Sequence, residues 1–399
     1  MGDMMMTRIL PLLLAIFALG SLSARAQDDP FAVFAPYASE PQYSIDHKPW
    51  TEFLERAVYV TGRSDRTPGR RSNNQFRVSG TRLSTTSNSR YRFEGNRVMF
   101  HNFNDEVEDY IGLYRQGLQD TMNRVDYGAF SRNEQLAFWL NLYNAVVIHE
   151  IAKAHPISRP ERIRIRDQKA RLYDAKLVEV HGVKLSLNDI RYNIVYRYWR
   201  SPSVIYGLWD GAIGGPGILP EAFEGGTVNA QLQLNAREFV NSMRGVDRIR
   251  DEMRVSQVYV DARPYYFKSW PSDLYAHLSR YADWKTAEIL ALSPENPRTT
   301  RYARNTADVE SGETIRSPSS DNPSAMAAGN DLGPAWSNLS SEAMRGGLSS
   351  EAAQLARKSQ ARLSRRTGSV YILDVVTDDP DATQTLSVEP DATNEEDAQ

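Results

Sequence analysis

Two stretches of this chain hold side chains able to do chemistry. In "VIYGLWDGAIGGPGILPEAF", residues 204–223, Asp210 stands at the mouth of a loop carrying Gly211, Gly214, Gly215 and Gly217. A carboxylate there could act as acid or base, or form the wall of a small-ligand pocket. The glycines could equally make a tight turn where backbone approaches a neighbour closely. A phosphate cradle is excluded. The G-x-x-x-x-G-K-[ST] and G-x-G-x-x-G spacings are absent, Pro216 and Pro220 remove donors, and Asp210 would repel the anion. The second stretch, "SRNEQLAFWLNLYNAVVIHEIAKAHP", carries Glu134, Asn141 and Asn144. Glu134 and Asn141 are seven residues apart and point nearly the same way on a helix, with Asn144 adjacent. That stripe could line the floor of a cleft, with Glu134 and Asp210 as an acid–base pair acting on a glycan or peptide bond. In the alternative, the amides tie the helix to neighbouring backbone.

These residues need rigid elements beneath them. Ser131 and Glu134 have capping-box spacing, Pro156 ends the run, and apolar groups between Leu136 and Ile148 face every direction around the axis. This predicts a buried helix over Ser131–Ala154, inside which an unpaired amide would cost about 1–3 kcal/mol. Further helices are predicted at Trp50–Tyr59, Asp105–Asp120, Leu187–Trp199 and Ala230–Met243. Short strands are predicted at Ile163–Arg166, Leu177–Val183, Val204–Trp209 and Val255–Val260. The row Arg162, Arg164, Arg166 reads as one exposed strand face. The fold class is α+β: a mostly helical single domain around a buried central helix, with a small β-sheet, over residues 44–285.

Outside that domain the composition changes. Residues 1–26 place Arg8 before an apolar run and end in Ala24-Arg25-Ala26, the layout of a secretory signal peptide with Gln27 as the mature start. No later stretch is long and apolar enough to span a bilayer. Residues 294–399 are polar, proline-punctuated and acidic at the end, and read as a disordered tail with a short helix near 339–366. The apolar segment "SVYILDVV" within it could dock a partner by adding to a sheet edge. The chain has no cysteine, so core burial holds it together, and thiolate catalysis and thiolate metal sites are excluded. The formal charge of −3 speaks against a nucleic-acid binder. The histidines at 47, 101, 149, 155, 181 and 277 show no metal-ligand spacing, and no cofactor motif occurs.

"EQLAFWLNLYNAVVIH" resembles the signature of the domain-of-unknown-function 547 family. "SIDHKPWTEFL", "LSLNDIRYNIV" and "SPSVIYGLWDGAIGGPGI" resemble further family blocks in the expected order, over about residues 44–281. The resemblance also marks departures. Where typical members carry a Glu and a His in the second block, this chain has Arg191 and Tyr192. Where they carry a His and two Cys in the third, it has Ile205, Asp210 and Gly215. Thiol chemistry needs a cysteine and a nearby base, so any such activity in the family is not available to this chain in the same form. The resulting expectation is an exported envelope protein with a binding or scaffolding role, whose partner is an envelope protein or a small ligand. The alternative is a hydrolase or transferase built on Asp210 and Glu134.

Overall fold

In the computed structural model the described residues are 29–38, 41, 43–69, 89–300, 302–309 and 350–364. The signal-peptide segment, most of the expected tail and "SVYILDVV" lie outside them. The central helix runs Arg132–Ala154, and every side chain from Gln135 to Ile148 is buried. Ser131 caps it by accepting the Glu134 N–H at 3.2 Å. Packed around it are the helix Asp105–Arg124, which starts on Asn104 as a side-chain cap, the helix Val228–Val240, and a π-helix Asp189–Val195 continued by Tyr196–Tyr198. Shorter helices at Lys48–Ala57, Gln257–Tyr266, Ser272–Tyr281 and Trp284–Leu290 complete the shell.

The strands form separate small sheets. The longest pair is the antiparallel hairpin Lys176–Val180 with Val183–Ser186. A three-stranded sheet joins Val246–Ile249 and Glu252–Val255 to Arg298–Thr299, the last strand parallel. The chain is α+β, with helices dominating.

Three expected strands are corrected. Leu177–Val183 is not one strand: it ends at Val180, turns at His181 and Gly182, and Val183 begins its hairpin partner. Residues Val204–Trp209 are not a strand: Pro202–Gly207 is a 3-10 helix leading into extended residues. An apolar run buried on all sides has no solvent face to enforce period-2 alternation. Here buried amides, rather than a ladder, satisfy the backbone: Asn235 donates to the Tyr206 carbonyl at 2.6 Å and Asn144 to the Gly207 carbonyl at 3.0 Å. Val255–Val260 splits at Ser256, which ends the strand and accepts the Val258 N–H as cap of the next helix. The Arg164 strand is only two residues long, and Arg162 belongs to a 3-10 turn.

Packed structure continues beyond Trp284. Residues 302–309 run along the glycine loop: Gly214 N–H donates to the Ala303 carbonyl at 2.8 Å, Ile213 N–H to Asn305 at 2.9 Å, and Ala307 N–H to Gly211 at 2.7 Å. Ala303, Thr306, Ala307, Asp308 and Val309 are buried there. The helix Ser350–Ser364 also sits on the body, with Arg362 donating to the Phe93 carbonyl at 2.6 Å and pairing with Asp65 at 3.1 Å.

Candidate functional site

Both amides of the central helix hold backbone. Asn141 donates to the Phe223 carbonyl at 2.7 Å and accepts the Phe223 N–H at 2.9 Å. Asn144 spans the Gly207 carbonyl and the Trp209 N–H, each at 3.0 Å. They clamp the two ends of the 204–223 stretch to the core. The glycines between the clamps answer steric demands. Gly211 has a φ of +73°, and a Cβ there would meet Ile151 Cδ1 at 2.5 Å. At Gly214 a Cβ would strike the Ala303 backbone nitrogen at 2.7 Å. At Gly215 it would fall 2.6 Å from Asp210 Oδ1 and 2.9 Å from the Tyr302 hydroxyl.

The loop therefore folds around Asp210, each of whose carboxylate oxygens accepts a hydrogen bond. Oδ1 accepts the Ala212 N–H at 3.0 Å, and Oδ2 accepts the Tyr302 O–H in a short hydrogen bond. Tyr173 O–H donates to the Asp210 carbonyl at 2.5 Å. Burial, reinforced by the negative charge of Asp210, pushes the phenols of Tyr173 and Tyr302 upward, so both remain protonated donors at neutral pH.

Asp210 lines a cleft of about 310 Å³. Arg191, Tyr192 and Tyr196 enter its wall from the π-helix, whose wide turn brings residues four and five apart onto one side. That helix is anchored by Asp189, whose carboxylate accepts the Ser186 N–H and Oγ–H, each at 2.7 Å, and Lys176 Nζ at 2.5 Å. Ile205 and Pro216 add apolar wall, and Asp174 and Asp261 add carboxylates. Arg191 donates from Nη2 to the Tyr143 hydroxyl at 2.6 Å, and its guanidinium lies 5.3 Å from the Tyr143 ring centre. Burial opposes its charge, while the Tyr143 hydroxyl bond and the charge of Asp210 favour it, and the group stays protonated.

Of the residues singled out in the sequence, the cleft takes Asp210 alone from the set Glu134, Asn141, Asn144, Asp210 and Gly211. Asn141, Asn144 and Gly211 are committed to packing. Glu134 lies at the opposite end of the central helix from the residues touching Gly211: Val147 is 13 positions on, about 20 Å along the axis. Its carboxylate faces the Ile45 and Gly225 backbone rather than closing a capping box, and burial raises its pKa, as does Glu224. Glu134 and Asp210 are not brought together. The positions the resemblance singled out are brought together: Arg191, Tyr192, Ile205 and Asp210 all line the cleft, and Gly215 abuts the Asp210 carboxylate. Tyr302, Tyr173 and Asp261 carried no local signal, because each reaches the site only through the tertiary fold.

Among the described residues, no group of three His, Cys, Asp or Glu side chains could hold a metal ion, and no helix is long and apolar enough to cross a membrane. No curated protein and no solved structure matches the chain. The central helix, the hairpin, the π-helix and the glycine loop all fall within residues 127–240, whereas Asp261 and Tyr302 complete the cleft from outside that span. Residues 127–240 match the model of the family described as protein of unknown function, DUF547, so this part of the chain is a DUF547 domain.

Proposed function

We propose that this protein is exported to the cell envelope and acts there as a binding protein, holding a small polar ligand in the cleft around Asp210 and Arg191 without turning it over. The observation that carries the reading is the convergence of Arg191, Tyr192, Ile205 and Asp210 in one cleft. Where the family pattern places groups able to attack or accept a proton, this chain places a guanidinium, a phenol, an aliphatic side chain and a carboxylate already holding two hydrogen bonds. Such a lining is equipped to hold a ligand: convergent polar groups among aromatic and apolar ones. The pair chemistry of Asp210 with Glu134 lacks the required proximity. Export rests on the n-region, apolar run and Ala-Arg-Ala pattern of residues 1–26.

The test is native mass spectrometry of the protein purified from its own envelope fraction. A retained small molecule that disappears in Asp210→Ala, from a chain beginning at Gln27, is the expected result. A spectrum showing no ligand in either protein would remove the binding site from consideration. Turnover of a defined compound that stops in Asp210→Asn would replace binding by catalysis.

A further inference from the structure

Arg191 is a charged group of the cleft whose bonding is incomplete. Its Nη2 has the Tyr143 hydroxyl, but its Nε is buried without an acceptor among the described residues. No carboxylate of a described residue forms an ion pair with it within 4.0 Å. Asp210 contributes charge but no hydrogen bond, its oxygens accepting from Ala212 and Tyr302. Arg191 is half-buried, with its Nε out of water, and a charged group desolvated in this way is normally paired. Here the rings of Tyr143, at 5.3 Å, and Tyr192, at 6.0 Å, supply part of the compensation. They also hold the guanidinium in place. A planar, immobilised guanidinium with donors to spare matches the two oxygens of a carboxylate.

From this we infer that the ligand of the cleft carries a free carboxylate, as at the C-terminus of an amino acid or short peptide, and that Arg191 is its anchor. The inference rests on the binding reading above and names its ligand class. Phosphate and nucleotides fit less well. Four carboxylates line the cleft against three guanidiniums, so a ligand with more than one negative charge meets net repulsion, whereas an amino acid or peptide brings its own compensating ammonium.

The test uses the intact purified protein and isothermal titration calorimetry. The probes are the standard L-amino acids, L-Ala-L-Ala, their C-terminal amides and inorganic phosphate. Binding of an acid, with its amide at least about tenfold weaker, is expected, since losing a charge-assisted hydrogen bond changes affinity by that order. Arg191→Gln should weaken the acid by a similar factor and so narrow the gap between acid and amide, while Arg191→Lys should restore only part. Preference between alanine and dialanine separates the two sources of the carboxylate. Equal affinity for acid and amide would overturn the inference while leaving the cleft a binding site, and this comparison needs no variant to fold. Preference for phosphate, or no binding by any probe, would also overturn it. Only an empty native mass spectrum would then remove the binding reading too.

Discussion

Gly215 provides the sharpest test of the site's geometry. Its φ lies outside the left-handed region, so Gly215→Ala carries no backbone strain of that kind, and the consequence is confined to the added methyl group. That group would lie 2.6 Å from Asp210 Oδ1 and 2.9 Å from the Tyr302 hydroxyl. Asp210 cannot retreat freely, because Oδ1 is held by Ala212 N–H and Oδ2 by Tyr302. Relief must break one of these charge-assisted bonds or displace the 302–309 segment. Either way, the cost is about 1–3 kcal/mol, the range of both a modest overpacking and a lost bond to a charged group. For a chain of this size that corresponds to a fall in Tm of about 2–10 °C. In an Asp210→Ala background the nearer obstruction is gone and Tyr302, now without its acceptor, can move aside. There the same Gly215→Ala change should cost less than about 0.5 kcal/mol. Urea unfolding of the four proteins, followed by tryptophan fluorescence, measures the coupling. An identical cost in the two backgrounds would refute the packing of Asp210, Tyr302 and Gly215 as one unit.

The clamp at Asn144 yields a second expectation: Asn144→Ala strands the buried Gly207 carbonyl and Trp209 N–H and should lower stability by about 2–4 kcal/mol, read from the urea midpoint. Arg244 is 2% exposed, pairs with Glu238 and lies 4.0 Å from the buried Glu94, while also donating to the Gly215 carbonyl at 2.7 Å. Arg244→Met should therefore cost about 3–5 kcal/mol, and adding Glu94→Gln should recover part of it; no recovery would show that Glu94 is not the stranded charge. Burial pulls the pKa of His47 and of His277 down from 6.5 to about 4, with Arg280 adding to the effect at His277. Both are neutral in the folded protein, so their contribution is fully present above pH 6.5 and is lost as pH falls toward 4, on the order of 2–3 kcal/mol each. His277→Phe should flatten the stability profile across that window, and an unchanged slope would refute the assignment.

The central helix was legible from residues alone. Capping at Ser131, the stop near Pro156 and apolar groups on every side are local facts, and local facts decide helix type, extent and burial. The need of Asn141 and Asn144 for partners was legible too, because desolvation demands it; the partners were not, since Phe223, Gly207 and Trp209 lie far along the chain. The apolar run at Val204–Trp209 misled, because full burial erases the alternation that separates strand from helix. Likewise nothing in "LSLNDIRYNIV" distinguishes a π-helix from an α-helix.

What the chain's own order of residues determined is which side chains are on offer: Arg191, Tyr192, Ile205 and Asp210, and glycines wherever backbone has to pass closely. Only the tertiary structure decided that these meet in one cleft, that Glu134 is excluded from it, and that Tyr302, 92 positions beyond Asp210, closes the carboxylate. The physical reason is that composition and spacing act over a few residues, whereas a site assembled across the chain is set by which buried surfaces and hydrogen-bonding groups the whole fold can satisfy at once.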